Sequence, residues 1–257
     1  MLMLNKIIEI AKEAGQTVRD GFGKTLDIEF KTNESNLVTQ IDKASEKKII
    51  YYVKKEFPTH GILAEESGES KNTSEYIWVI DPLDGTTNFA HGFPIFSVSI
   101  GVQKNGITLA GVVYDIMQDI IYSAELNGGA YANNKRIIVS STDRLQRALL
   151  VTGFPYNIAE NPENAFERFI ALTKASRGMR RLGSAAIDFC YVAKGAFDGF
   201  WEVYLHPWDI CAGKLILEEA GGIVTDFRRE PVNIFSNKIL ATNKHIHDQM
   251  VEVINKF

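Results

Sequence analysis

The run Trp78-Val79-Ile80-Asp81-Pro82-Leu83-Asp84-Gly85-Thr86-Thr87-Asn88-Phe89 passes from an apolar strand through two carboxylates to a helix start. Trp78 to Ile80 reads as a buried strand that ends at Asp81, where Pro82 removes a ladder donor. Asp84 follows, and Gly85-Thr86-Thr87 has the composition of a helix N-terminus. Two carboxylates so close at the mouth of a sheet can share a hard cation, and the Leu83 carbonyl adds a further oxygen. Free amides at the helix start suit a phosphate oxygen. Taken alone, Asp84 reads better as a cap in an ordinary Asp-Gly turn.

Acids elsewhere shift that balance. Ala64-Glu65-Glu66-Ser67 follows a second short apolar run, so Glu65 also falls at a strand end. Trp208-Asp209 opens the helix-like segment Ile210-Cys211-Ala212-Gly213. Each has a plain alternative: Glu65 and Glu66 as a surface pair, Asp209 as an N-terminal cap. If the acids converge, electrostatics decides. Two carboxylates ~4 Å apart repel by about 4 kcal/mol at an effective dielectric near 20. Such a cluster needs cations or raised pKa values, and oxygen-only ligands favour magnesium over zinc. Thr39-Gln40-Ile41-Asp42 fits a capping box, a structural role that Asp42 fills whatever else it does.

Working outward, the first helix carries Leu4, Ile7, Ile8, Ala11, Ala14, Val18 and Phe22 on one stripe and stops near Gly21 and Gly23. A second runs from Thr39 to Lys54. Short strands follow at Ile62–Ala64, Tyr76–Ile80, Ser97–Val102, Leu109–Tyr114 and Ile120–Ala124, with Asn105-Gly106 as a hairpin turn. After residue 145 the rhythm alternates: strand at Leu149–Val151, helices at Glu163–Ala175, Ser184–Lys194 and Ile210–Ala220, strands at Ile223–Phe227 and Ile239–Thr242, and a terminal helix to Lys256. This order predicts stacked α/β layers in two halves, 1–143 and 144–257.

The bulk numbers exclude several classes. With 45% hydrophobic and 23% charged residues the chain is globular. A net charge of −4 argues against direct nucleic-acid binding, whose proteins are usually basic. No stretch approaches the ~20 apolar residues of a membrane span, and the start, Met1-Leu2-Met3-Leu4-Asn5-Lys6, reads as amphipathic rather than as a signal core. Cys190 and Cys211 show neither metal spacing nor a disulfide framework, which points to a reduced, cytoplasmic setting. The five histidines form no HExxH pattern and read as surface or packing residues. Gly183-Ser184-Ala185 is not a nucleophile elbow, and no P-loop or dinucleotide signature is present.

These motifs together resemble the inositol monophosphatase family of lithium-sensitive, metal-dependent phosphatases, here in a bacterial form suggested by Thr152-Gly153-Phe154-Pro155-Tyr156. The resemblance rests on residues 78–89, on Trp208 to Gly213 continuing to Glu219-Ala220-Gly221-Gly222, on Glu65-Glu66-Ser67, and on Leu37 to Asp42. Ala64 departs from a family motif that starts with glycine, while the acids are kept. It implies the α-β-α-β-α sandwich shared with fructose-1,6-bisphosphatases. It also implies two or three Mg²⁺ ions: Glu65, Asp81 and the Leu83 carbonyl for one; Asp81, Asp84 and Asp209 for a second; a weaker third near Glu65. Glu65 and Thr86, supported by Asp42, would activate water. Gly85 and Thr86 would bind phosphate, with Asp84 and Asp209 at the substrate, and Gly183, Ser184, Ala185 and Glu202 beside the polyol.

The implied substrate is myo-inositol monophosphate, in a homodimer. Alternatives are fructose 1,6-bisphosphate, with Arg177, Arg180 and Arg181 as contacts for a second phosphate or parts of a subunit interface, and an added binding role in transcription. Glu202 favours a neutral polyol, since a carboxylate repels a second phosphate.

Overall fold

The computed structural model describes residues 2–31, 34, 36–70 and 74–257, with only the backbone of Leu2. Helix α1 (Leu2–Gly21) buries Ile7, Ala11, Ala14 and Val18 along one face, as the spacing predicts. A hairpin that the sequence reading lacked, β1 (Ile28–Phe30) with β2 (Leu37–Thr39), leads into α2 (Gln40–Glu56). Next come β3 (Gly61–Ala64), β4 (Gly68–Glu69), β5 (Tyr76–Asp84) and the short α3 (Thr86–Ala90). A meander of β6 (Ser97–Lys104), β7 (Ile107–Asp115), β8 (Ile120–Glu125), β9 (Gly129–Ala132) and β10 (Lys135–Ile137) follows. These strands form one sheet in the order β10-β9-β8-β7-β6-β5-β3-β4, antiparallel except between β3 and β5. Asn105 and Gly106 join β6 to β7, both in the left-handed region that a tight hairpin turn demands.

The second sheet is assembled from later elements: β11 (Leu149–Thr152), α4 (Ala165–Ala175), β12 (Gly178–Arg180), α5 (Ala185–Ala193), β13 (Gly199–Val203), α6 (Pro207–Glu219), β14 (Ile223–Thr225), β15 (Lys238–Thr242) and α7 (His247–Ile254). Its order is β12-β11-β13-β15-β14. Helices α1 and α2 cover the outer face of the first sheet, α5 and α6 lie between the sheets, and α4 and α7 cover the far face of the second. The five layers therefore alternate α-β-α-β-α. The apolar cores divide accordingly, with Trp78, Ile80 and Ile100 facing the first helix pair and Phe189, Phe200 and Ile216 in the middle.

Four boundaries differ from expectation, each for a local reason. Strand β5 does not end at Asp81 but continues to Asp84, with a register shift between Asp81 (opposite Ser99) and Asp84 (opposite Ser97). Pro82 sits inside this bulge, where its missing N–H leaves no ladder bond unmade. The Leu83 N–H is taken instead by Asp81 Oδ1 at 3.0 Å. Helix α4 starts at Ala165 rather than Glu163, because Asn161, Glu163 and Asn164 all have φ near +50°. Helix α6 begins at Pro207, not Ile210; proline is tolerated in a first turn whose amides have no helical acceptor. Strand β14 stops at Thr225 rather than Phe227, where Asp226 Oδ1 accepts the N–H groups of Arg228 (2.7 Å) and Glu230 (2.9 Å) and closes a turn.

Candidate metal and substrate site

The bulge at the end of β5 and the first turn of α6 meet at one point. Carboxylate oxygens of Asp81, Asp84 and Asp209 all lie within 4.8 Å of one another. Asp81 and Asp84 are buried, so water does little to screen their repulsion. Burial pushes the Asp81 carboxyl well above the usual range, and the charges of Glu65, Asp84 and Asp209 add to it. Asp84 is pushed up to about 6 by burial, against hydrogen bonds from Ser184 and Ala186. Asp209 is likewise driven well up by burial and by Asp84, although the His206 N–H donates to its Oδ2 at 2.7 Å. Three crowded, poorly screened acids are what a cation-binding centre requires.

Asp84 also ties the layers together. Its Oδ2 accepts the Ala186 N–H at 2.9 Å and the Ser184 hydroxyl, both from the start of α5. Ser184 in turn caps that helix, accepting from the Ile187 N–H at 3.4 Å. Expected as components of one site, Asp84 and the Gly183-Ser184-Ala185 segment are indeed in contact.

Glu65 stands just past β3, its carboxyl in hydrogen-bond contact with Asp81 but outside the tight trio. Lys31 Nζ reaches it at 2.8 Å and Glu66 at 2.6 Å. Burial pulls the Lys31 ammonium down, but the two glutamates outweigh it and the net shift is upward. Glu65 and Glu66 are mostly buried, with side chains 16% and 10% exposed, so they are not a free surface pair. Nothing in the sequence pattern singled out Lys31, because its contact comes from the bend after β1.

Asp42 does form the capping box, its Oδ2 accepting the Thr39 N–H at 2.9 Å. Its other oxygen accepts the Thr86 hydroxyl at 2.9 Å, and that hydroxyl also lies 3.0 Å from the Leu83 carbonyl. A hydrogen-bonded path thus runs from Asp42 through Thr86 to the residue between Asp81 and Asp84. Burial raises the Asp42 carboxyl despite these bonds.

Beyond the acids opens a cavity of about 1270 Å³, lined by Asp84, Gly85, Thr86, Gly183, Ser184, Ala185, Glu202 and Asp209 together with Gly153, Arg181, Asp188 and His206. Glu202 projects from β13 and is buried, which pushes its carboxyl up to about 8 against the charge of Arg181. Its carboxylate lies directly over Gly153, where a Cβ would come within 2.2 Å of Oε1. Only glycine leaves that room, a constraint that the sequence reading of Thr152 to Tyr156 did not include. Arg181 stacks over the Phe154 ring at 5.0 Å. It lines the cavity and is exposed, like Arg177 and Arg180 of the same basic run. His206 is exposed and stacked on Trp208, as the surface-or-packing reading expected, and it also lines the cavity.

The chain matches the model of the inositol monophosphatase family over residues 2–256. It is 42% identical to an inositol-1-monophosphatase of Synechocystis sp., across 96% of this chain and 88% of that protein. Identity to a fructose-1,6-bisphosphatase/inositol-1-monophosphatase of Aquifex aeolicus is 41%, across 99% and 97%. The solved structure of an inositol monophosphatase from Anabaena (Nostoc) superposes with a TM-score of 0.90 at 42% identity, covering 99% of this chain and 96% of that one.

Proposed function

Because this chain belongs to the inositol monophosphatase family and is a phosphatase, we propose that it hydrolyses myo-inositol monophosphate with Mg²⁺. The observation that carries this reading is the trio Asp81, Asp84 and Asp209, two of whose members, Asp84 and Asp209, line a cavity that Glu202 lines as well. The donor set is all oxygen and strongly anionic, which suits a hard divalent cation. Asp81, Asp84 and Asp209 would hold one ion, and Glu65, Asp81 and the Leu83 carbonyl another once Lys31 withdraws. When bound, the metal supplies positive charge that draws electron density from the phosphate oxygens and acidifies the attacking water.

The chain's own residues do the remaining work. Thr86 and Glu65 orient the water, and the raised carboxyl of Asp42 accepts its proton through the Thr86 hydroxyl. First-turn amides of Gly85 and Thr86 hold phosphate oxygens. Water oxygen bonds to phosphorus, the ester P–O bond breaks in line, and the departing polyol oxygen takes a proton from solvent. Positioning dominates, as expected for a reaction with little covalent work. Glu202 with the Gly183–Ala185 backbone orients the polyol. In this reading residues 1–143 provide most of the ion ligands, and 144–257 provide Asp209 and the polyol wall.

A second reading, hydrolysis of fructose 1,6-bisphosphate, is favoured by one feature, the Arg181 guanidinium in the cavity wall. Phosphate release from inositol 1-phosphate and from fructose 1,6-bisphosphate, with and without magnesium, separates the two. Turnover should need magnesium, favour inositol 1-phosphate, and vanish in a folded Asp84→Asn variant. A folded wild type inert toward both esters would sink the proposal.

A further inference from the structure

Two residues after Glu202 the backbone of the cavity wall turns sharply. Strand β13 ends at Val203, which pairs with Lys238, and the chain must change direction before α6 starts at Pro207. Tyr204 makes that turn with φ +60°, its N–H held by the Asn237 carbonyl at 2.7 Å. Among the described residues that line this cavity, it is the one non-glycine residue in the left-handed region. Glycine and asparagine enter that region easily, whereas a bulky aromatic residue there is an outlier that stores strain. Such strain persists where the surrounding structure holds the residue in place, and it collects at ligand sites. What a glycine at this position would lack is the ring. Tyr204 lines the cavity with 43% of its surface exposed, so the ring is open to a ligand.

Tyr204 does not stand alone. Tyr156, Phe30 and Ile28 line the same cavity and are 44%, 58% and 44% exposed. The cavity holds about 1270 Å³, more than the roughly 300–1000 Å³ of pockets that enclose drug-sized ligands, and a cyclitol monophosphate is smaller than such ligands. Resting on the phosphatase reading above, we infer that the cavity carries a further subsite at Tyr204, which takes an aromatic ring borne on the alcohol side of a phosphate ester. Continuity with the phosphate end settles which side: the phosphate is held at Gly85 and Thr86 beside the acids, so only the departing alcohol can extend through the rest of the cavity. A ring placed there packs on the face or edge of Tyr204 and leaves water. Because the strained backbone already holds the tyrosine in position, little ordering remains to be done on binding.

The test measures kcat/KM in magnesium for ethyl, 2-phenylethyl and 4-phenylbutyl phosphate, esters whose leaving alcohols are close in acidity. The readout is the ratio of the better phenylalkyl ester to ethyl phosphate, which cancels any general loss of activity or of folded protein. The wild type should show a ratio of about tenfold, the worth of one well-packed ring. Tyr204→Asn keeps a residue at home in the left-handed region, removes the ring, and should cut the ratio about threefold or more through KM. Tyr204→Phe should keep it. A wild-type ratio near one, or a ratio that Tyr204→Asn leaves where it was, overturns the subsite and leaves Tyr204 a residue of the turn alone. Inositol 1-phosphate run alongside separates the two claims. A wild type inert toward it overturns the substrate proposed above, while a phenylalkyl preference that Tyr204→Asn loses still supports the ring subsite.

Discussion

Helices α2 and α6 begin alike and end in different chemistry. Each carries an aspartate three residues after its cap, Asp42 after Thr39 and Asp209 after His206, and each aspartate accepts the cap residue's N–H. Asp42 spends its second oxygen on Thr86 and is wholly enclosed. Asp209 instead turns its carboxylate toward those of Asp81 and Asp84. The same local motif thus yields an enclosed carboxyl bonded to a hydroxyl in one place and a member of an acidic trio in the other. What differs is the neighbour: α2 starts against the Thr86 hydroxyl, and α6 starts against the bulge of β5.

Replacing each aspartate by asparagine breaks the comparison most sharply. Asp209→Asn should lower kcat by on the order of 10³-fold, since several kcal/mol of transition-state charge stabilisation is at stake. The same change should raise the melting temperature of the metal-free protein, because one of three crowded acids is neutralised while the bond from His206 is kept. A lower melting temperature would show that the trio is not under repulsion. Asp42→Asn should act in the opposite sense on stability, costing about 1–3 kcal/mol by misplacing an amide among buried donors. Its activity should fall about 10–100-fold, as for residues that orient a centre without entering it. A loss as deep as that of Asp209→Asn would erase the distinction.

Proton linkage gives a further test. Asp84 and Glu202 are raised in the fold to about 6 and about 8. The folded protein therefore binds more protons than the unfolded chain. Their contribution to stability is fully present below the ordinary carboxylate range and is lost as pH rises through those two values. Metal-free protein followed by thermal unfolding should thus lose stability between about pH 4 and 8. Saturating magnesium should remove the part of the loss below about pH 6, since ion binding favours the charged acids, and leave the part between about pH 6 and 8. A flat profile without metal would contradict the crowding of the acids.

The smallest effect is expected at the joint between the layers. Ser184→Ala removes a donor to Asp84 and the cap of α5 together. It should cost about 1–2 kcal/mol in unfolding and alter kcat less than tenfold. A larger kinetic loss would make Ser184 part of the chemistry rather than of the joint.

Much of this was legible beforehand, and the failures are instructive. Residues 78–89 announced a strand, two acids and a helix start, and all three are present. The point at which β5 stops was misread because proline was taken to end a ladder. In a bulge its missing donor costs nothing, and the bulge sets the spacing of Asp81 and Asp84. The basic run at Arg177 to Arg181 was open between a second-phosphate contact and a subunit interface, and sequence carries no sign of the Phe154 ring on which the exposed Arg181 stacks. Lys31 passed unnoticed for the same reason: its neighbours lie far along the chain.

By itself the sequence determined most of the helices and the central strands, the buried face of α1, the capping box at Thr39 and the identity of the acids. These follow from periodicity and from side-chain chemistry within a few residues, which a linear reading captures. Only the tertiary structure decided which acids repel one another and which are pinned by donors. Those outcomes depend on distances between segments as remote as Asp84 and Asp209 in a medium that screens charge poorly. No spacing along the chain encodes that distance; the packing of α6 against the end of β5 does.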